Sequence, residues 1–319
     1  MATHTQILFV NRPKPGKLDP SFVFKSVSKP RPKASDLKDG EILVKNLYLS
    51  FDAAMRAWMG ELKTYRDPLQ IGQVMEGRSA SIVLASKHSA HKPGDRIVGS
   101  FDWQQYTIVQ PDNPKYGLES VPDGVSLKDV QYVAGMTALT AYFGLIDVGG
   151  ASKGKVVVVS GAAGATGSMV GQIAKCLGCR VIGIAGGPDK CKMLVDQLGF
   201  DAAIDYKVDR REFTKRVNEV IGRRGYDVYF DNTGGMILEV LMNRMALRGR
   251  IVVCGSISAY EGTQDPRFAL ATGNLIPTRG RIEGFLVTDY IDRFPQALTH
   301  IVSWYKDGKI KPLQTTVPG

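Results

Sequence analysis

Near the middle of the chain, a run of small residues with a glycine at every third position follows four consecutive valines, 156–159. The run spans residues 160–167, and its glycines are Gly161, Gly164 and Gly167. Backbone N–H groups approach a pyrophosphate closely only where no Cβ stands in the way, and the N-terminus of a following helix adds free donors and a positive dipole end. A lone glycine pattern is weak evidence, but the strand-like valines before it and the helix-like residues after it supply the confirming context. We therefore predict that this segment binds a dinucleotide, with contacts from Ala163, Gly164, Ala165, Thr166 and Gly167.

The residues after the second predicted strand decide which nicotinamide cofactor fits. A site for NAD usually places Asp or Glu at this strand end, where it holds the ribose 2′-hydroxyl. Here the sequence continues Ile184-Ala-Gly-Gly-Pro-Asp-Lys190, with no acid directly at the strand end. Asp189 falls in the N-terminal turn of a predicted helix, where an acid stabilises the helix dipole. We predict NADPH, with the 2′-phosphate contacted by Gly187, Lys190 and Tyr206.

Two further loops follow the fourth and fifth predicted strands, at residues 231–235 and 254–260. Ligands of parallel sheets bind beyond the carboxyl ends of the strands, so both loops are expected to face the cofactor. Asn232 is a candidate for the nicotinamide ribose, and Tyr260 is a candidate for a hydrogen bond near the hydride-transfer centre. The alternative for Tyr260 is a loop aromatic that packs on the sheet edge. The remaining predicted cofactor contacts are Cys254, Ser256, Tyr260, Phe285 and Val287.

Strands and helices alternate after about residue 127. Six apolar runs predict strands at 155–159, 180–184, 202–204, 227–230, 250–254 and 281–287. Four amphipathic stretches between them predict helices at 167–177, 189–198, 211–221 and 236–245. Buried apolar strands joined by helices predict an α/β fold, namely a six-stranded doubly wound parallel (Rossmann) sheet with right-handed crossovers.

The first part of the chain follows a different pattern. Short apolar runs at 41–49, 81–84, 96–98 and 106–109 are broken by Pro-Gly, Asp-Gly and Pro-Asp-Asn turns, which is typical of a twisted, mostly antiparallel β domain. We predict one domain at 1–127 and the dinucleotide-binding domain at 128–287. Residues 288–319 hold one amphipathic helix and are too few for a domain, so we expect them to return to the first domain.

The composition is that of a soluble globular protein, since 44% of the 319 residues are hydrophobic and 23% are charged. No apolar run is long enough to cross a bilayer, and the first residues do not form a signal peptide, so the cytoplasm is the expected location. Only four cysteines are present, which fits a reducing compartment. The net charge of +10 is spread along the chain, which favours a solvated surface or attraction of an anionic cofactor over nucleic-acid binding. We therefore expect no nucleic-acid partner and no membrane partner.

Together, these motifs resemble the medium-chain dehydrogenase/reductase superfamily. Within it, they resemble the zinc-independent branch of prostaglandin reductases (leukotriene B4 dehydrogenases) and alkenal double-bond reductases. The matching pieces cover nearly the whole chain and include 46–50, 92–95, 135–144, 162–167, 171–175, 205–207, 229–232 and 254–260. The resemblance implies a GroES-like, mostly antiparallel N-terminal domain. It also implies NADPH-dependent reduction of the carbon–carbon double bond of α,β-unsaturated ketones or aldehydes.

The resemblance also implies roles for individual residues. Hydride goes to the β-carbon of the substrate and leaves an enolate oxygen, whose charge needs a hydrogen-bond donor. Tyr260 and the cofactor ribose hydroxyl would provide that donor. Tyr48 and Tyr65 are the implied substrate contacts, with a buried packing aromatic as an equal alternative for each. Members of the branch commonly pair their sixth strands, so a homodimer through residues Arg281 to Val287 is expected.

Two departures from the family pattern concern the substrate and the chain end. The family reads Asp-Pro-Tyr-Met-Arg where this chain has Asp52-Ala-Ala-Met-Arg56, so a pocket tyrosine is missing. The family also continues beyond the equivalent of Pro318-Gly319, with a helix and a strand that returns to the cofactor. We therefore expect an incomplete copy, or one whose site a partner chain completes.

Other functions stay open at this level. A zinc alcohol dehydrogenase would need Cys and His ligands early in the chain. The first cysteine is Cys176, and Met75-Glu76-Gly77 stands where a histidine would be expected, so no catalytic metal is predicted. A quinone reductase uses the same fold and cofactor without metal and is the direct enzymatic alternative. A non-catalytic NADPH- or RNA-binding module is the alternative from another class.

Overall fold

The antiparallel and parallel sheets that the sequence predicts lie in separate units of the chain. The structure, a computed structural model, describes residues 2–262 and 272–318. Its contacts divide the chain into Met1–Gln131 and Tyr132–Gly319. The predicted boundary after residue 127 lies close to this division. Within the described ranges, none of the helices is long and apolar enough to cross a membrane.

A two-stranded sheet at the start of the first unit was not predicted. Strand β1 (Thr3–Phe9) pairs antiparallel with β2 (Phe24–Pro30), with Phe9 opposite Phe24. Most residues of both strands are exposed or half-buried, so the sequence lacks the apolar run that marks a core strand. Two short helices, α1 (Pro20–Val23) and α2 (Met55–Trp58), lie in the same unit.

The larger sheet of the first unit contains all four predicted strands. Its members are β3 (Ile42–Leu49), β4 (Arg78–Ser86), β5 (Arg96–Ser100), β6 (Tyr106–Val109) and the short, unpredicted β7 (Glu119–Ser120). They pair antiparallel in the order β6-β3-β4-β5-β7. Alternate residues of β3 such as Ile42 and Val44 point to one face, where they pack with Val83, Ile97 and Phe101 in a buried core.

The second unit contains the predicted six-stranded parallel sheet. Its strands are β8 (Val156–Ser160), β9 (Arg180–Ala185), β10 (Ala202–Asp205), β11 (Tyr226–Asp231), β12 (Met245–Val253) and β13 (Arg281–Gly284). They pair parallel in the order β10-β9-β8-β11-β12-β13. All five residues of β8 are buried, as expected of a central strand covered on both faces. The doubly wound fold is confirmed, although β12 begins before the predicted residue 250 and β13 ends at Gly284 rather than Val287.

Helices occupy the predicted positions between these strands. The helices of the second unit and its border are α3 (Val130–Val133), α4 (Met136–Phe143), α5 (Ala165–Cys176), α6 (Pro188–Asp196), α7 (Arg210–Ile221), α8 (Gly235–Leu241), α9 (Leu275–Thr278) and α10 (Phe294–Lys306). In α7, Phe213, Val217 and Ile221 recur every fourth residue and are buried in the core beside the sheet. The helix begins where the Asp209 side chain accepts hydrogen bonds from two main-chain N–H groups of its first turn.

The last helix packs within the second unit. Its buried residues are Phe294, Ala297 and Ile301. The Tyr142 hydroxyl of α4 lies 2.7 Å from Nδ1 of His300. Beyond the helix, the main chain of Lys311 forms two hydrogen bonds with the side-chain amide of Gln172, at 2.7 and 3.1 Å. The last helix therefore contacts α4 of its own unit, and the return of residues 288–319 to the first domain stays a prediction.

Candidate cofactor site and active site

The predicted glycine turn forms the start of α5 at the carboxyl end of β8. Gly164 is the N-cap of α5, and no side chain among the described residues caps the helix there. A Cβ on Gly167 would lie 2.8 Å from Cα of Ala162 and closer still to the carbonyl oxygen of Gly161. Only glycine therefore lets α5 approach the turn, and the uncapped N–H groups at its positive end suit a phosphate. Of the other predicted phosphate contacts, Ala163 lies in the same turn, and Ala165 and Thr166 are the first two residues of α5.

A second candidate anion site lies where β9 meets α6. Gly187 is the N-cap of α6 and has a φ of +99°, in the region that favours glycine. Its N–H donates to Oδ1 of Asp205 at 2.8 Å, and the N–H of Lys207 donates to the same oxygen at 2.9 Å. The hydrogen bond from Gly187, followed by that from Lys207, lowers the pKa of Asp205. The sequence analysis gave this carboxylate no role, and in the structure both of these hydrogen bonds come from main-chain N–H groups.

Basic and hydroxyl side chains surround this second turn. Lys190 is exposed in the first turn of α6. A Cβ on Gly186 would lie 3.0 Å from the Tyr206 hydroxyl and 3.0 Å from Cε of Lys207, so both side chains pass over this glycine. The structure thus brings the predicted contacts Gly187 and Tyr206 to one turn, and it adds Lys207. The sequence signal for Lys207 was its place directly after Tyr206 at the end of β10.

Asn232 joins the ends of two neighbouring strands. Its main-chain N–H donates to Oγ of Ser160 at 3.0 Å, and its side-chain Nδ2 donates to the carbonyl oxygen of Ser160 at 2.7 Å. It therefore lies at the carboxyl edge of the sheet, beside the glycine turn. Its contact with the nicotinamide ribose stays a prediction, for which the side-chain oxygen is the available group.

The loop after β12 carries the predicted residues Cys254, Ser256 and Tyr260. Burial, with a smaller contribution from the nearby Asp231, raises the pKa of the Cys254 thiol to about 12. The thiol is therefore protonated at neutral pH and is not a nucleophile. The Tyr260 hydroxyl accepts a hydrogen bond from the main-chain N–H of Ser256 at 3.4 Å. Because a Cβ on Gly255 would lie 3.2 Å from this hydroxyl, the phenol folds back over its own loop.

Phe285 and Val287 lie just beyond β13 rather than in it. The Phe285 ring meets Phe230 edge-on, with 6.4 Å between the ring centroids. It also fills the space beside Gly144, where a Cβ would come within 2.8 Å of Cε1 of Phe285. Val287 is half-buried and begins a short 3-10 helix. The Phe285 side chain therefore packs inside the unit, and a cofactor contact at this position would come from its main chain.

In the first unit, the two predicted substrate contacts lie on different elements. Tyr48 is half-buried on β3, opposite Ala80 at a register irregularity. Tyr65 is 55% exposed, and its hydroxyl accepts a hydrogen bond from Nε1 of Trp58 at 2.6 Å. The guanidinium of Arg66 lies over the Trp58 ring, 4.6 Å from its centroid. Tyr65 is thus an exposed aromatic rather than the buried packing residue of the alternative interpretation.

Asp102 and Trp103 were not predicted, yet both lie in unusual surroundings. Asp102 has a φ of +65°, which is uncommon for a residue other than glycine. Burial, followed by the nearby Glu76 carboxylate, raises the pKa of Asp102 to about 7. The Trp103 ring lies 4.8 Å from that of Phe51 and leaves no room for a Cβ on Gly77. The only sequence signal was one acid between two aromatic residues, which is too short a pattern to interpret.

Within residues 2–262 and 272–318, no group of three or more His, Cys, Asp or Glu side chains is arranged to hold a metal ion. All four cysteines are free thiols. Burial raises the pKa of Cys176, of Cys179 and of Cys191.

Two family profiles match the two parts of the chain. The profile described as the N-terminal domain of oxidoreductase matches residues 6–116, and the one described as zinc-binding dehydrogenase matches residues 165–303. The chain is 38% identical to the putative NADP-dependent oxidoreductase YfmJ of Bacillus subtilis, over 100% of this chain and 91% of that protein. It is 36% identical to the NADP(+)-dependent 2-alkenal reductase of Nicotiana tabacum, over 88% of this chain and 80% of that protein.

A solved structure agrees with these matches. CurA of Vibrio vulnificus, in complex with NADPH, matches the fold with a TM-score of 0.85 and is 34% identical, over 96% of this chain and 89% of CurA. Identity of this size over nearly the full length of both chains indicates common descent. The chain therefore belongs to the zinc-independent medium-chain dehydrogenase/reductase family, in the branch that includes the prostaglandin and alkenal reductases.

Proposed function

We propose that this protein reduces the carbon–carbon double bond of α,β-unsaturated ketones and aldehydes with NADPH. The observation that carries the proposal is the position of the Tyr260 hydroxyl, in the loop at the carboxyl edge of the parallel sheet. A donor at this edge can stabilise the negative charge that develops on a carbonyl oxygen during such a reduction. The name of the tobacco relative supports this substrate class, because a 2-alkenal is an α,β-unsaturated aldehyde.

The carboxyl edge of the sheet fits NADPH. The uncapped N-terminus of α5 would hold the pyrophosphate, and the crowding around Gly167 excludes a side chain at that position. Lys190, Tyr206 and Lys207 would hold the 2′-phosphate at the turn that contains Gly187. When bound, NADPH supplies the hydride that the β-carbon of the substrate receives. The CurA structure, 34% identical to this chain, is a complex with the same cofactor.

Tyr260 would act on the carbonyl oxygen of the substrate. Its Oη accepts the N–H of Ser256, which leaves the phenolic hydrogen free to donate to another oxygen. A hydroxyl that accepts one hydrogen bond donates a stronger one, because hydrogen bonds in a chain polarise one another. The donor therefore stabilises the negative charge on the carbonyl oxygen as the enolate forms. The α-carbon then takes a proton from solvent or from the Tyr260 hydroxyl.

Three further features belong to this proposal. Hydrogen bonds rather than zinc would stabilise the enolate, with Tyr260 as the principal donor. Two copies of the chain would pair through residues 281–287, because β13 is the edge strand of its sheet and offers main-chain groups to a second β13. The four free thiols fit work in the reducing cytoplasm.

Labelled cofactor tests the proposed reaction. The purified protein would receive NADPH deuterated at the transferred position, together with a 2-alkenal, a cyclic enone, the matching saturated aldehyde or a quinone. We expect turnover of the 2-alkenal and the enone, with deuterium at the β-carbon and the carbonyl group intact, and no turnover of the saturated aldehyde. Deuterium at the carbonyl carbon would overturn the proposal. Turnover of the quinone alone would establish the quinone reductase alternative instead.

A further inference from the structure

The Asp231 carboxylate, at the carboxyl end of β11, is fully buried at the centre of a hydrogen-bond network. Its Oδ1 accepts four hydrogen bonds, from Oγ of Ser160 at 2.9 Å, Oη of Tyr229 at 2.6 Å and the N–H groups of Thr233 and Gly234 at 3.0 Å each. Its Oδ2 has no partner in the described part of the chain. Burial of a carboxylate is costly unless hydrogen-bond donors replace the lost water. Any movement of a donor away from Oδ1 would leave the buried charge less compensated, so the carboxylate holds its four donors in place.

The turn that this carboxylate holds, residues 231–233, binds the loop that carries Tyr260. The acceptors are the carbonyl oxygens of Asp231, Asn232 and Thr233, and the donors are the N–H groups of Cys254, Gly255, Ile257 and Ser258, at distances between 2.9 and 3.2 Å. The Ser258 hydroxyl adds a bond to the Thr233 carbonyl oxygen at 2.7 Å. The main chain of the turn therefore determines the path of residues 254–258.

Tyr260 is in turn fixed by this loop. Its N–H donates to the carbonyl oxygen of Ile257 at 3.2 Å, and its Oη accepts the N–H of Ser256 at 3.4 Å. We propose that Asp231 is the positioning residue for Tyr260: the carboxylate fixes the turn, the turn fixes the loop, and the loop directs the phenol. This inference rests on the proposed function, because it gives Asp231 a part in the reaction assigned to Tyr260.

Ser160 connects the same network to the cofactor side of the site. Its hydroxyl donates to Asp231 and accepts the N–H of Asn232, while its carbonyl oxygen accepts Nδ2 of Asn232. Ser160 ends β8 directly before the glycine turn. The buried carboxylate of Asp231 therefore anchors both the start of the glycine turn and the Tyr260 loop. Misplacement of a reacting group by about 1 Å can cost about 100-fold in rate. The position of the phenol, as well as its presence, therefore sets kcat.

A double-mutant cycle with Tyr260→Phe separates positioning from general stability. Asp231→Ala removes the acceptor of all four bonds, and Asp231→Asn keeps an oxygen in place of Oδ1. Ser160→Ala removes one of the four donors together with the acceptor of the Asn232 N–H, and it serves if Asp231→Ala does not fold. We expect kcat for the enone to fall about 30-fold in Asp231→Ala and about threefold in Ser160→Ala, with most activity restored in Asp231→Asn. On the Tyr260→Phe background, the same changes should alter kcat by less than about twofold, because the phenol that they misplace is absent.

Asp227, at the opposite end of the same strand, is the matched control. Its carboxylate accepts the N–H of Val156 at 2.8 Å and lies 2.9 Å from the Arg224 guanidinium. Asp227→Ala therefore removes structural bonds from β11 without touching the turn at 231–233. We expect it to lower Tm while kcat stays within about twofold of the wild-type value.

Hydrogen exchange supplies a readout that does not depend on turnover. The N–H groups of residues 254–258 should exchange faster in Ser160→Ala and Asp231→Ala, but not in Asp227→Ala. Equal losses of kcat with and without the Tyr260 hydroxyl, or unchanged exchange in this loop, would overturn the inference. A wild-type protein that reduces no enone would overturn the proposed function instead, and the exchange rates would then decide whether Asp231 positions the loop.

Discussion

The carboxyl edge of the parallel sheet and the aromatic segment of the first unit, residues 51–65, are built in opposite ways. At the sheet edge, Asp231 is fully buried and main-chain groups make most of the contacts. In the aromatic segment, Phe51 is 74% exposed and Tyr65 is 55% exposed, and both make their ring or hydroxyl contacts with other side chains. Contacts made by main-chain groups persist through most substitutions because every residue type carries the same backbone, whereas contacts made by a side chain change when that residue is replaced. We infer that the sheet edge determines the type of reaction and that the aromatic segment determines the preference among substrates.

The departure from the family pattern between Asp52 and Met55 lies in the aromatic segment, whose side-chain contacts change with substitution. Ala53 and Ala54 replace the family Pro-Tyr pair within the aromatic segment, immediately before α2. The glycine turn and the Tyr260 loop, in contrast, keep the residues that carry the resemblance. Substitutions at the sheet edge should therefore change kcat or cofactor affinity, and those in the aromatic segment should change KM for the substrate.

The largest effect is expected at Tyr260. Tyr260→Phe removes the donor that we propose for the developing charge, so kcat for an enone should fall about 100-fold while KM for NADPH changes less than about twofold. Tyr116→Phe makes the same chemical change in the first unit and should leave kcat unchanged. Steady-state kinetics with a 2-alkenal measure both variants. A wild-type kcat in Tyr260→Phe would show that the phenol at the sheet edge takes no part in the reaction, and it would contradict the contrast between the two regions.

Gly167→Ala should disturb the cofactor rather than the chemistry. Its Cβ would press on the main chain at Ala162, which cannot move aside as a flexible side chain would. Overpacking of this kind costs about 1–3 kcal/mol, so the Kd for NADPH should rise about tenfold to 100-fold as α5 shifts. Fluorescence titration of bound NADPH measures the change. Gly273→Ala is the control, because nothing lies within 4 Å of a Cβ at that exposed position.

Lys190→Ala tests whether the sheet edge selects the cofactor by charge. The exposed ammonium at the start of α6 should contribute about tenfold to the affinity for NADPH, and nothing to that for NADH, which lacks the 2′-phosphate. The difference should shrink at high salt, since exposed charges are screened. Lys192→Ala, one position beyond the first turn of the same helix, is the matched control. Equal loss of affinity for both cofactors would show that Lys190 does not read the phosphate.

Patterns of neighbouring residues predicted the strand, turn and helix start of the cofactor site, but not the hydrogen-bond network around Asp231. Four valines followed by regularly spaced glycines specify a buried strand, a close turn and a helix start through neighbours in the sequence, and all three are present. The bond from Ser160 to Asp231 joins residues separated by 71 positions. No periodicity or spacing marks such a pair, because its existence depends on the order of strands in the finished sheet. Asp231 was visible only as an acid at a strand end.

The same limit applies to side-chain directions at the end of the chain. The helix at 293–306 was predicted from its amphipathic pattern, and α10 is present, but the pattern does not say which surface its apolar face will meet. Phe285 was predicted as a cofactor contact within the sixth strand; the structure ends β13 at Gly284 and packs the Phe285 ring on Phe230, and the contact itself stays a prediction. Position along the chain predicts which loop a residue belongs to, and packing decides the direction of its side chain.

Tyr65→Phe probes the aromatic segment directly. The change removes the acceptor of the Trp58 indole N–H, whose place water can take at this exposed position. We expect Tm to change by less than about 1 °C and KM for a 2-alkenal to rise no more than about threefold, with kcat unchanged. Tyr48→Phe, on the half-buried β3, is the comparison variant. A tenfold loss of kcat in Tyr65→Phe would mean that the first unit also takes part in the chemistry.

The smallest effect on activity is expected from Asp102→Asn, which should act on stability alone. Burial and Glu76 raise the pKa of Asp102 to about 7, against the opposing charge of Lys115. Because the folded state holds the proton more tightly than the unfolded state, the stabilising contribution is complete below the ordinary pKa of 3.8 and is lost as the pH rises through about 7. Asn keeps the unusual backbone conformation and carries no charge, so the variant should lose less stability than the wild type between about pH 4 and about pH 7. Thermal melts over this range measure the slope, and exposed Asp39→Asn should keep the wild-type slope. An unchanged slope in Asp102→Asn would show that this half-buried acid is not the group that titrates.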